Sequence, residues 1–244
     1  MARQRKRDRE EDINLLNDSS PFQITEAYKT LRTNLIFSLA ANKSETNDHK
    51  AKIIVITSSI PSEGKSTTCA NLSIAMAQKS EKVLIIDADL RKPVQNKLFE
   101  IDNSRGLSDV LIDECVLENT ISKNVRPFLD LLSSGTIAPN PSELLGSKAM
   151  EQMLKTLSEK YDYIFIDSPP INIVSDALVA SVNATGIVMV VRPEICTHEH
   201  FKHATESIKL ANIKLLGVVM SNVKEDNLGF KYKRKYYSYR KYKN

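Results

Sequence analysis

The stretch TSSIPSEGKSTT, residues 57–68, follows the apolar run IIVI at 53–56 and precedes a segment whose apolar residues recur at helical spacing. A strand that ends in a turn of small residues and then opens a helix at Gly-Lys-Ser points backbone N–H groups, and the positive end of a helix dipole, at one spot. Polyphosphate is the natural occupant of such a spot. Gly64 lets the backbone come close to an anion, Lys65 reaches toward the outer phosphates, and the Ser66 hydroxyl suits a Mg²⁺ ion. Thr67 adds a further phosphate contact, and Ser62 and Glu63 complete the candidate nucleotide contacts on the loop. The strict pattern G-x-x-x-x-G-K-[ST] would have a glycine where this chain has Ser59. Taken by itself, the loop therefore also fits a serine-rich turn capping an ordinary helix.

The surrounding chain narrows the choice. Strand-like runs at 53–57, 82–87, 128–132, 163–167, 186–191 and 215–220 alternate with helical stretches at 66–79, 147–159, 175–183 and 200–210. Short, nearly all-apolar strands separated by helices indicate a parallel sheet covered on both faces. The expected fold is α/β of the P-loop NTPase type, with a doubly wound, mostly parallel sheet flanked by helices over 51–226. Ligands of such sheets sit outside the carboxyl ends of the strands. The second strand ends in IIDADLRKP, so Asp87 and Asp89, two residues apart, point the same way if the strand stays extended. The YIFID strand ends in Asp167 and is stopped by Pro169 and Pro170. Three carboxylates at the edge that carries the loop can hold Mg²⁺, directly or through water, and one can take a proton from an attacking hydroxyl. A single Asp at a strand end is an ordinary cap, but three beside Gly64-Lys65-Ser66 form a candidate site.

Composition excludes other classes. No apolar run approaches the ~20 residues of a membrane helix, and MARQRKRDREED has no apolar signal core behind its charges, so a cytosolic location is expected. Cys69, Cys115 and Cys196 lie far apart without metal-type spacing and read as reduced thiols. Residues 1–21 are polar, of mixed charge, and expected to be disordered. In the 22–50 segment, Ala27, Leu31, Leu35 and Leu39 recur every four positions, the spacing of an amphipathic helix, ahead of a polar linker. On another face Glu26, Lys29 and Arg32 make a charged stripe. His198, His200 and His203 have no Cys or Asp beside them and read as a solvated helix face. Arg91 and Lys92 suit a phosphate, a neighbouring subunit or an ordinary surface pair.

The net charge of +4 conceals an asymmetry, because residues 231–244 carry seven Lys or Arg and no acid. Five of the eight tyrosines, Tyr232, Tyr236, Tyr237, Tyr239 and Tyr242, are interleaved with those cations in the 227–244 tail, which is expected to be disordered. Aromatic-basic interleaving also suits single-stranded nucleic acid or an acidic membrane surface.

The segments SSIPSEGKSTT, VLIIDADLRKP, SSGTIAPNPSELL (133–145) and YDYIFIDSPP, followed by a tyrosine-rich C-terminus, resemble in order the bacterial tyrosine kinases of capsular and exopolysaccharide synthesis, in the single-chain form of Gram-positive bacteria. The resemblance spans about residues 22–244. It implies Walker A, A′ and B elements of an ATP- and Mg²⁺-dependent protein-tyrosine autokinase. In it Lys65 and Ser66 serve phosphate and metal, Asp89 and Asp167 help hold the metal, and Asp87 is the base. It further implies that the five tail tyrosines are phosphoacceptors, and that Glu26, Lys29 and Arg32 pack between subunits of a ring-shaped homo-oligomer, an octamer being one size it allows. Lys29 stands where the family usually has Arg, which removes bidentate pairing there. Relatives place an Asn near the adenine after the last strand; here the order is Met220-Ser221-Asn222, so either Asn222 takes that role after a one-residue shift or base recognition differs. Implied partners are a transmembrane activator that modulates polysaccharide chain length and recruits the kinase to the inner face of the membrane, and a cognate tyrosine phosphatase. No nucleic-acid partner is expected. The competing assignment is a switch ATPase of the septum-positioning or DNA-partition kind. Those proteins carry a second lysine where this chain has Ile60.

Overall fold

The computed structural model describes residues 15–40, 51–113 and 115–223. Seven strands, β1 (Lys52–Ser58), β2 (Val83–Asp87), β3 (Ser122–Arg126), β4 (Leu129–Leu132), β5 (Tyr163–Asp167), β6 (Gly186–Val191) and β7 (Leu215–Met220), form one sheet in the order β3-β4-β2-β5-β1-β6-β7. Every pairing is parallel except β3 with β4. The helices that matter below are α1 (Phe22–Ala40), α2 (Lys65–Ala77), α3 (Gln95–Leu98), α4 (Leu107–Leu111), α5 (Leu117–Thr120), α6 (Pro141–Leu145), α7 (Lys148–Ser158), α8 (Asp176–Ala180) and α9 (His198–Leu210). Among the described residues no helix is long and apolar enough to cross a membrane.

Alternation along the strands divides the core into two layers. Ile53, Val55, Ile164 and Ile166 pack with Met150, Leu154 and Leu157 of α7 and with Ala204 and Ile208 of α9. Ile54, Ile56 and Phe165 pack on the other face with Cys69, Leu72 and Met76 of α2 and Leu35 of α1. The expected doubly covered sheet is therefore present.

Several boundaries differ from expectation. β3 reads SKNVR, with no apolar run, because it is an exposed antiparallel edge strand needing no second buried face. Phe128, expected to begin the neighbouring strand, has φ 63 and forms the hairpin turn instead. Helix α9 starts at His198 rather than His200, since Thr197 caps it by accepting from the His200 N–H at 3.2 Å. Helix α8 is shorter than the 175–183 expected.

The N-terminal region departs further. Leu15 and Leu16 are buried, and the Leu16 N–H donates to Asn71 Oδ1 at 2.8 Å, so order begins inside the 1–21 segment expected to lack it. Residues 1–14 and the linker at 41–50 lie outside the described residues. On α1, Ala27 faces solvent and Tyr28 takes its place in the packed stripe with Leu31, Leu35 and Leu39. The Tyr28 hydroxyl reaches Asn71 and Thr68 on α2. The charged stripe splits: Glu26 and Lys29 form an exposed pair at 2.8 Å, whereas Arg32 is buried and its Nη1 donates to the Ala75 carbonyl. A guanidinium can close an orphan carbonyl near the end of α2, a use that spacing alone does not distinguish from a surface charge.

The start of α4 fastens the SSGTIAPNPSELL segment. The Asp109 carboxylate accepts from the Gly106 N–H at 2.8 Å and from Thr136 at 3.1 Å (N–H) and 2.6 Å (Oγ1), and these bonds depress its pKa against the cost of burial. Gly135 has φ +80, and a Cβ there would lie 2.1 Å from Asp109 Oδ2 and 2.6 Å from the Gly106 nitrogen. Gly135→Ala is thus expected to cost roughly 2–5 kcal/mol, combining left-handed strain with a disrupted carboxylate. Urea denaturation reads this as a lowered midpoint; a midpoint equal to that of the parent chain contradicts it.

Candidate active site

The phosphate loop connects β1 to α2, with Gly64 at φ 86 and Ser62 at φ 68 turning the backbone into the helix. Its shape is held from behind by Glu63. That buried carboxylate accepts from Ser59 Oγ and the Ile60 N–H, both at 2.8 Å, and from the Arg192 N–H at 3.2 Å. Ser59, standing where the strict motif has glycine, is therefore a staple of the loop. The Glu63 side chain faces inward, which leaves only its main chain for a nucleotide. Ser221 closes the same corner, its Oγ donating to the Glu63 carbonyl at 2.6 Å.

The acids arrive by register. Asp87 and Asp167 are the last residues of adjacent parallel strands and are directly paired, while Asp89 follows two residues later. Lys65 Nζ lies 2.9 Å from Asp89 Oδ2, 3.5 Å from Asp167 Oδ1 and 3.1 Å from Ser66 Oγ. Burial opposes the ammonium charge, but Asp167 and then Asp89 outweigh it and raise the Lys65 pKa. Asp87 is fully buried, and burial, reinforced by Asp167, pushes its carboxyl up to about 7. Its Oδ2 accepts from the Val94 and Gln95 N–H groups at 3.1 and 2.9 Å, and among the described residues its Oδ1 accepts only from the Asp89 N–H at 3.3 Å. Oδ1 is therefore the oxygen with room for a proton.

The structure brings together Ser62, Gly64, Lys65, Ser66, Thr67, Asp87, Asp89 and Asp167. Other candidates have different partners. Asn222, at φ 50, is exposed and donates from Nδ2 to Glu194 Oε2 at 3.2 Å. Arg91 grips the buried Asp176 through Nε at 2.9 Å and Nη2 at 3.2 Å. His203 Nδ1 meets Asn172 Oδ1 at 3.0 Å, and among the described residues no three His, Cys, Asp or Glu side chains are grouped to hold a metal by themselves, so acids of this site would serve a cation together with other oxygen donors. The five tail tyrosines lie outside the described residues. Sequence reading passed over Gln95, which contacts Asp87, Ser66 and Asp167; its place eight residues after Asp87, at a helix start, is the one available signal.

A glycine-turned loop at a helix start, set at the carboxyl edge of a doubly wound sheet and faced by aspartates from neighbouring strands, defines a P-loop nucleotide-binding protein. Its family can be read from its relatives. Residues 51–216 match the family described as AAA domain. Over 200 residues, 82% of this chain and 81% of the relative, the sequence is 40% identical to tyrosine-protein kinase YwqD of Bacillus subtilis. The crystal structure of the chimerical protein CapA2B2 superposes with a TM-score of 0.77 at 38% identity, covering 85% of this chain and 87% of that one. The septum site-determining protein MinD with Mg-ADP, from Pyrococcus horikoshii, shares the fold at a TM-score of 0.62 and 25% identity over 76% of each chain. The chain belongs to the bacterial tyrosine-protein kinases of capsular and exopolysaccharide synthesis.

Proposed function

We propose that the protein is an ATP-dependent protein-tyrosine autokinase regulating capsular or exopolysaccharide synthesis. It phosphorylates its own Tyr232, Tyr236, Tyr237, Tyr239 and Tyr242 in trans, within a ring. The observation that carries this is the Lys65 ammonium held between Asp89 and Asp167 above Asp87. An ammonium at the mouth of a phosphate loop can exchange carboxylate partners for phosphate oxygens. The hydroxyl of Ser66 and the carboxylates of Asp89 and Asp167 are hard oxygen donors of the kind Mg²⁺ takes, alongside phosphates and water. Bound there, Mg²⁺ supplies charge neutralisation on the phosphates.

The remaining work falls to the chain. Main-chain N–H groups of residues 62–67 cradle the phosphates, and Lys65 neutralises the outer ones. A tyrosine oxygen forms the new bond to the γ-phosphorus as the bond to the β-phosphate oxygen breaks, and ADP leaves. The phenolic proton passes to Asp87 Oδ1. Because that proton leaves late from a loose transition state, alignment matters more than base strength, and a carboxyl raised to about 7 serves better than an exposed one. Ser221 Oγ is spent on Glu63, so Asn222 is the side chain left for the base, and its Nδ2 would exchange Glu194 Oε2 for the nucleotide.

Glu26 and Lys29, exposed on α1, offer the subunit contact, while Arg32 supports it from within its own chain. A transmembrane activator at the inner face of the membrane and a tyrosine phosphatase are the partners. A switch ATPase would keep this fold and these acids, but Ile60 supplies no second lysine. Radiolabel from γ-labelled ATP is expected on tyrosine; label found solely as free phosphate would support the switch instead.

Tail phosphorylation should also change assembly. Each phosphate adds about −1.5 to −2, so five take the tail from +7 to roughly −0.5 to −3. Light scattering at fixed nucleotide and salt is expected to show the fully phosphorylated ring falling apart. A ring of unchanged size refutes the charge reversal.

A further inference from the structure

Gln95 touches all three motifs of the site. It is fully buried at the start of α3. Its N–H helps hold Asp87 Oδ2, and its Nε2 donates to the Ser66 carbonyl at 3.0 Å and to Asp167 Oδ2 at 2.8 Å. Both of those neighbours are acceptors, so chemistry fixes which end of the carboxamide is nitrogen. The oxygen of the same amide, Oε1, is buried without a hydrogen-bond partner among the described residues. An unpaired buried amide oxygen is costly, and a leucine or methionine would fill the same place without that cost.

We propose that Gln95 is a positioning residue for the phosphoryl-transfer site, an inference that rests on the kinase function above. By tying the Ser66 carbonyl to Asp167 Oδ2, the carboxamide sets the separation of two residues offered to the metal and leaves Asp167 Oδ1 facing Lys65. Its Oε1 is an acceptor for donors that arrive with a hydrated cation. Packing alone does not call for an amide here. Groups that orient metal ligands from behind typically govern 10- to 100-fold of metal affinity, so the effect belongs to the metal dependence of nucleotide binding.

The test measures binding of a fluorescent ADP analogue across a Mg²⁺ titration, using the full chain with Gln95→Met and with Gln95→Leu. Metal-free affinity should stay within about twofold, while the Mg²⁺ concentration for half-maximal enhancement rises roughly 10-fold or more. An unchanged Mg²⁺ dependence with a lowered thermal midpoint is the signature of mere packing and overturns the proposal. A second measurement needs no variant: the Gln95 side-chain amide resonance of the parent protein should shift with ADP plus Mg²⁺ and not with ADP alone. A resonance that ignores the metal overturns the proposal even if both variants fail to fold. Failure of the parent protein to bind ADP with Mg²⁺ at all would instead remove the kinase function, and Gln95's role with it.

Discussion

Lys65→Ala is expected to abolish both nucleotide binding and tyrosine phosphorylation, the largest functional loss available from one side chain of this protein. Lys65 is the cation that bridges Asp89 and Asp167 at 2.9 and 3.5 Å, and those acids hold its charge firmly in place. Without it, the γ-phosphate of an incoming nucleotide meets the buried Asp87, Asp89 and Asp167 with no fixed cation opposite them. Removing one such stabilising group typically lowers the rate by about 10²- to 10³-fold, and lost binding adds to that at ordinary nucleotide concentrations. Equilibrium binding of MgATP and anti-phosphotyrosine detection are the two readouts. Full activity in the variant would sink the assignment of the loop.

Asp87→Asn should separate binding from transfer. The substituted amide oxygen can still accept from the Val94 and Gln95 N–H groups, which hold the loop after β2, so the nucleotide cradle survives. The new NH₂ replaces Oδ1, the oxygen with room for the phenolic proton. Loss of a positioned base usually costs about 10²- to 10⁴-fold. The variant is therefore expected to bind MgATP as the parent does while forming phosphotyrosine at least about 10²-fold more slowly. Transfer at the parent rate would move the base to another residue; loss of nucleotide binding would give Asp87 a structural task instead.

Much of this was legible before any coordinates. Six of the seven strands announced themselves as apolar runs, five of them because a parallel sheet buries both faces and the partly exposed edge strand β7 because LLGVVM is apolar throughout, and the acids at the ends of β2 and β5 followed from where those runs stop. β3 was illegible for the opposite reason: an edge strand has one buried face at most, and SKNVR carries no apolar signal. For Glu63 the position in the loop is visible in the sequence, whereas the inward direction of its side chain, which leaves its main chain alone to face a nucleotide, is not. Arg32 shows the same limit on a helix. Charge at a regular interval suggests a surface stripe, and the carbonyl of Ala75 that receives it lies 43 residues away. Leu15 and Leu16 were hidden in a polar context, their docking against α2 depending on Asn71. Gln95 is uncharged and belongs to no motif, so its contacts with three motifs emerge only when the strands are laid side by side.

The most direct test of the kinase account is peptide mass mapping of the full chain after incubation with MgATP, with the cytosolic segment of the proposed transmembrane activator supplied in a parallel sample. The account predicts phosphotyrosine at Tyr232, Tyr236, Tyr237, Tyr239 and Tyr242, more of it in the sample with activator, and none in Lys65→Ala. A map from both samples with no phosphotyrosine beyond residue 231, from protein that demonstrably binds MgATP, would contradict it.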